Sequence, residues 1–189
     1  MGRLFAVYAA ISLIPVLVLG VVLAASLRGE AKVRGLAEGQ SEAVLVARTA
    51  VEPLLDGRPL SAGLNAGEQA NLRRLVGKAI GGRDLLRLRL RDLNGRVVFS
   101  GDGSGFAARP EGQAYEAARG RIVARLTRLN SDVNDTGSTG LASVEVYLPL
   151  RAGTPAHRIG VLEVYLPYAP ISRDVTRAWI DCMSIWLSV

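Results

Sequence analysis

A single cysteine, Cys182, excludes an intrachain disulfide, and a single histidine, His157, leaves no His/Cys cluster at metal-ligand spacing. The fold must hold by packing. His157 follows Thr154, Pro155 and Ala156 between two apolar runs, which suits an exposed loop position rather than a catalytic one. Lysine is scarce too, with only Lys32 and Lys78, so nearly all the positive charge is arginine. The deficit that matters most lies at the amino end: from Leu4 to Leu27 there is no charged side chain. As a helix that run is about 36 Å long, enough to cross a bilayer.

A secretory signal has an apolar core of only about 7 to 15 residues, so this longer run, tolerating Pro15 and Gly20, reads as an anchor. Ala24-Ala25-Ser26 supplies small residues for a cleavage site as the alternative. Charge gives little guidance on orientation. Arg3 precedes the span and Arg28, Lys32 and Arg34 follow it, but long domains translocate largely regardless of such counts.

Beyond the span, Val33, Leu36, Gln40, Ala43, Ala47, Ala50 and Leu54 recur at spacings of three and four, so the helix is expected to continue as an amphipathic one. Pro53 and Asp56-Gly57 end it. Its seam suits a twin helix in a dimer or the chain's own domain. Asn65 with Glu68 forms a capping signal for a second helix through Leu72, Leu75, Val76, Ala79 and Ile80, closed by Gly81-Gly82.

The period then changes to two. Leu86, Leu88 and Leu90 alternate with Arg87, Arg89 and Arg91, Asn94-Gly95 makes a tight turn, and Arg96 to Ser100 returns as the second strand. Gly101 to Gly105 reads as a flexible loop, Pro110 to Gly120 as a short helix, and Ile122 to Leu129 as a third strand. Val144 to Leu150 and Ile159 to Leu166 follow as near copies, Val-Glu-Val-Tyr-Leu-Pro against Leu-Glu-Val-Tyr-Leu-Pro. Paired antiparallel, they bring Glu145 and Tyr147 beside Tyr165 and Glu163.

The net charge of +6 is concentrated between Arg73 and Arg96. A basic stripe there could meet nucleic acid or anionic lipid, but its alternation with leucine reads as the solvated face of a half-buried strand, and no nucleic-acid partner is expected. Should the fifth strand lie beside the first, Glu163 would face the arginine row.

Other motifs fail on inspection. Gly101-Asp102-Gly103-Ser104-Gly105 lacks the lysine of a phosphate loop and the spacing of a serine elbow. Asp132 to Gly137 opens like a calcium loop, yet Ser143 stands where the closing glutamate belongs, so no metal site is assigned. Asn134-Asp135-Thr136 matches a glycosylation sequon by accident. No cofactor is implied, and the missing nucleophile and base argue against an anchored hydrolase.

A membrane helix running into a long helix, the strand pair turning within Asp92-Leu93-Asn94-Gly95-Arg96-Val97-Val98-Phe99-Ser100, and two closing strands together resemble the Cache type of extracytoplasmic PAS-like sensor domain. The run Gly160-Val161-Leu162-Glu163-Val164-Tyr165-Leu166-Pro167-Tyr168-Ala169-Pro170-Ile171 is similar to the end of such sensors in bacterial membrane diguanylate cyclases and cyclic-di-GMP phosphodiesterases. The abundance of Ala, Gly and Arg also fits a high-GC bacterial genome.

The resemblance implies an α+β fold: a transmembrane helix at 4–27, then an extracytoplasmic sensor domain at 28–170 with a five-stranded antiparallel sheet and a long membrane-proximal helix. Residues 171–189 are expected to form a juxtamembrane helix and an incomplete second transmembrane segment, with Trp179 at interfacial level. The location implied is the inner (plasma) membrane. The resemblance also implies a small-molecule ligand, with Arg109, Tyr115 and Arg125 as candidate ligand-binding residues, and a homodimer through the membrane-proximal helix. No Gly-Gly-Asp-Glu-Phe or Glu-Ala-Leu signature occurs, so catalytic activity does not carry over and the chain reads as a truncated relative. The alternative is an anchored envelope protein whose sheet binds another protein without sensing a small ligand.

Overall fold

A computed structural model describes residues 2–82, 84–106, 109–131 and 140–168. The calcium-like run at Asp132–Gly137 and the proposed second membrane approach at 171–189 lie outside these. The chain divides into two compact units, Met1–Arg34 and Gly35–Val189.

In the first unit, helix α1 begins at Gly2, tolerates Pro15, and continues to Val46 in the second. Among the described residues it is the one helix long and apolar enough to cross a membrane, with a mean hydropathy of 1.8 over its most apolar stretch. Leu13, Ile14, Val16, Val18, Leu19, Val21, Val22 and Leu23 are all more than half exposed. Neighbouring positions on a helix point about 100° apart, so such a run exposes apolar surface on every side, which lipid rather than water accommodates.

In the second unit, the end of α1 lies on a sheet along a seam of small residues, Gly35, Gly39, Ala43 and Ala47, all buried and four apart. Gly39 is needed for close approach, because a Cβ there would come within 2.7 Å of a Val144 methyl. The helix continues as expected, but its buried row is not the expected seam: Ala43 and Ala47 belong to both, Leu36 and Leu54 pack beside the core, and Val33 points outward. At Ala47–Val51 the helix widens into a π turn, followed by a tight turn at Glu52–Leu54 around Pro53. The wider turn brings Val51 onto the seam four residues after Ala47, so the buried row persists while the helix ends.

Helix α2, Ala66–Gly82, opens with the expected capping box: Glu68 N donates to Asn65 Oδ1 (2.9 Å), and Asn65 N donates to Glu68 Oε2 (2.7 Å). Glu68 also accepts from Asp56 N at 3.0 Å, tying the turn after α1 to the start of α2.

The strands are β1 Arg87–Arg91, β2 Val97–Ser100, β3 Val123–Arg128, β4 Ala142–Ala152 and β5 His157–Pro167, with the short helix α3, Gly112–Ala118, between β2 and β3. They form one antiparallel sheet in the order β2-β1-β5-β4-β3. Leu88, Leu90, Phe99, Val146, Leu148, Leu150, Leu162, Val164 and Leu166 face the helices, where Leu72 and Val76 of α2 and Ala43 of α1 complete the core. On the opposite face Ala114 and Ala117 of α3 pack on Tyr147 and Val161. The sheet is covered on both faces, and the second cover decides what becomes of the charges.

A buried charge layer as the candidate functional site

Strand alternation places Arg87, Arg89 and Arg91 on the face turned away from α1 and α2. The solvated-face expectation for these residues is wrong: they are 3 %, 2 % and 0 % exposed, and β1 is buried along its whole length. Two things make burial tolerable. The segment after β2 folds back over the row, and β5 lies beside β1 and brings Glu163 into it, as the register argument anticipated.

Register builds the site in cross-strand rows. Arg89 lies opposite Ser100 on one side and Glu163 on the other, and Glu163 lies opposite Tyr147. In the next row Arg87 faces Tyr165, Tyr165 faces Glu145, and Glu145 faces Arg125. The near-copy strands therefore pair as their sequences suggested.

Glu163 is wholly buried and joins two guanidiniums: Arg89 Nη1 donates to Oε1 at 3.1 Å and Arg91 Nε to Oε2 at 2.5 Å. Arg91 also donates from Nη1 to the carbonyl of Gly95 at 2.9 Å, tying the sheet centre to the β1–β2 turn. Its Nη2 is buried without a hydrogen-bond partner, but the guanidinium lies 5.9 Å from the centroid of the Tyr147 ring, whose π face attracts a cation. Burial opposes the charge on Arg91, and the Glu163 carboxylate more than offsets this, raising its pKa.

Glu145, also wholly buried, is held differently. Tyr147 and Tyr165 each donate a phenol hydrogen to Oε1 at 2.7 Å, while Arg125 Nε pairs with Oε2. Burial, with Glu163 and Glu145 nearby, drives the pKa of Tyr147 far upward, so the phenol stays a donor at any ordinary pH. Arg125 reaches on to Glu111 Oε2 at 3.0 Å, at the N-cap of α3.

The outer cover is pinned by charge. Arg87 Nε donates to Asp102 Oδ2 at 2.6 Å, Arg87 Nη2 to Asn130 Oδ1 at 2.6 Å, and Arg89 Nη2 to Ser104 Oγ at 2.6 Å. Asp102 accepts from the Ser100 and Ser104 hydroxyls and from Ser104 N. Burial disfavours its ionised form, but these hydrogen bonds and the Arg87 charge prevail and hold its pKa well below the usual carboxylate range. The loop expected to be flexible is thus tied down. Gly105 (φ +85°) passes so close that a Cβ would lie 2.8 Å from the Arg89 guanidinium carbon, which is why glycine stands there.

Arg125 belongs to this layer, half-buried between Glu145 and Glu111. Tyr115 lies on α3 at 42 % exposure, and Arg109, just before the helix, is exposed. Sequence reasoning named Arg125 but did not name Arg89, Arg91, Glu145, Tyr147 or Tyr165 as site residues. The signal was available in part: a glutamate and a tyrosine recur at matching places in both copied strands. His157 is exposed as expected, but it stands as the first residue of β5, opposite Ala152, rather than in the loop.

The assembly is an α+β domain, a five-stranded antiparallel sheet with helices on both faces, and among the described residues one helix is apolar and long enough to cross a membrane. The sequence matches no protein-family model and no curated protein. Among solved structures it is similar to the sensor domain of Escherichia coli DcuS, at 16 % identity over 74 % of this chain and 96 % of that one, with a TM-score of 0.49. It is similar to the sensor domain of the Vibrio cholerae histidine kinase DctB, at 17 % identity over 67 % of this chain and 46 % of that one, TM-score 0.43. The ligand-binding domain of the Campylobacter jejuni chemoreceptor Tlp3, solved with L-valine, gives 17 % identity over 76 % and 60 %, TM-score 0.41.

Proposed function

We propose that this chain is a membrane-anchored extracytoplasmic sensor domain for signal transduction. Residues 4–27 tether it to the inner membrane, residues 28–170 form the outer domain, and its lineage is that of cyclic-di-GMP signalling receptors. The observation that carries the reading is the charge layer enclosed between the sheet and α3. Four guanidiniums (Arg87, Arg89, Arg91, Arg125) meet four carboxylates (Asp102, Glu111, Glu145, Glu163) under one short helix and one loop. Such a layer is costly to assemble for stability alone, because well-packed apolar residues do as well. It is suited to exchanging one carboxylate for another.

A ligand carboxylate arriving beside α3 would compete with Glu111 for Arg125, with Tyr115 and Arg109 on the solvent side of the same segment. Releasing Glu111 would free the N-cap of α3 and shift the population between two arrangements of the domain and its membrane-proximal helix. The exposed surface of that helix, which includes Leu45, is the part left for a homodimer. The run from Gly160 to Ile171 supports the cyclic-di-GMP lineage.

The test is thermal unfolding of the detergent-solubilised chain against small carboxylates and amino acids. A ligand present at 100 times its Kd stabilises by about 2.7 kcal/mol, a plainly visible shift. Saturable stabilisation that weakens in Arg125→Gln supports sensing. Stabilisation only by a protein partner favours the envelope-binding alternative and overturns it.

A further inference from the structure

At the end of the sheet where α1 terminates, an open cleft of about 680 Å³ lies between the β4–β5 turn and the C-terminal end of α3. Arg119, Arg151, Arg158 and His157 line it, over Leu93 and Pro149, and no carboxylate is among its lining residues. Among the described residues no ion pair joins Arg119, Arg151 or Arg158 to an acidic group, in contrast to the arginines of the buried layer.

Two features mark this as more than a solvated patch. Arg151 and Arg158 are direct register partners across β4 and β5, and like charges placed opposite each other destabilise a ladder. The surroundings are also fixed before any ligand arrives. Arg158 Nη1 donates to the carbonyl of Ala118 at 2.8 Å, Arg151 N donates to Glu52 Oε1 at 2.8 Å, and a Cβ on Gly57 would come within 2.6 Å of Gly153, so the turn rests firmly against the segment after α1. A guanidinium at a helix C-terminus satisfies a carbonyl and complements the dipole, but Arg158 alone does that. Arg119 and Arg151 are left over.

We infer that this cleft binds a phosphate-bearing small molecule, a phosphomonoester or diphosphate, whose oxygens bridge Arg151 and Arg158 while Arg119 closes from the α3 side. Guanidinium forks match phosphate oxygens in pairs, and a dianion relieves the repulsion between the paired strands. The volume lies within the range of about 300 to 1,000 Å³ typical of small-ligand sites. The same phosphomonoester is carried by the headgroup of phosphatidic acid, and the test separates the two sources.

The experiment is calorimetric titration of the full chain in non-ionic detergent at about 50 mM salt, where screening between exposed charges is modest. One arm uses inorganic pyrophosphate, the other short-chain dioctanoyl phosphatidic acid, whose headgroup is a phosphomonoester. Saturable binding of pyrophosphate is expected, weakened about tenfold or more by Arg119→Gln with Arg151→Gln and unchanged by Arg74→Gln with Lys78→Gln, which removes equal charge on α2. Tighter binding of the lipid, with the same dependence on Arg119 and Arg151, assigns the headgroup as the source. Without ligand, Arg151→Gln should leave the thermal midpoint unchanged or raised, because it removes one of two facing cations. No saturable binding in either arm, or equal loss in the α2 control, overturns the inference and leaves the sensing reading untouched.

Discussion

Glu163 has no exposed surface and two cations for neighbours, so removing its charge takes from buried Arg89 and Arg91 the carboxylate they share. Breaking such a pair typically costs about 3 to 5 kcal/mol. Glu163→Gln, nearly equal in shape, should lower the unfolding free energy read from denaturant melts by that amount, and a loss below about 1 kcal/mol would mean the layer is wetter than its geometry indicates. Asp102 offers a pH test. Its carboxyl is held below the unfolded value of 3.8, so its stabilisation is full above that value and lost as the pH falls through the folded one. Urea midpoints of the chain and of Asp102→Asn should therefore differ at neutral pH and converge as the pH drops below about 4.

At the scale of elements, the small-residue seam of α1 sets how closely the helix approaches the sheet. Gly39→Val would drive a branched side chain into Val144 and should cost stability, on the order of 1 to 3 kcal/mol. Gly29→Ala, where a Cβ meets nothing, should be neutral or gain up to about 1 kcal/mol of helix propensity. Paired thermal melts check this, and equal effects at both positions would contradict the seam.

These elements were legible because each carries its own local signal: the Asn65/Glu68 box, the turn at Asn94-Gly95, and the copied strands whose register follows from a short connection. What alternation at Arg87, Arg89 and Arg91 could not reveal is what lies above them. Period two separates the faces of a strand but does not say which face is left to water. That depended on a glycine-rich segment whose Asp102 and Ser104 find their partners only in three dimensions. Likewise the spacing of α1 identified a helix and, in Ala43 and Ala47, two positions of its buried row, while the rest of that row and its choice of its own sheet over a twin helix rested on the close approach of Gly39 to Val144.

At the scale of the whole molecule, an apolar helix and a charge-layered sheet domain occupy one chain. The proposed role requires that they lie on the two sides of one boundary, the helix in lipid and the sheet outside the cell's inner membrane. Fusing reporter enzymes after Tyr168 keeps β5 and the charge layer complete. The account predicts that alkaline phosphatase, active only outside the cytoplasm, gives strong activity at that junction while β-galactosidase stays silent. An active β-galactosidase beside an inactive phosphatase would contradict it.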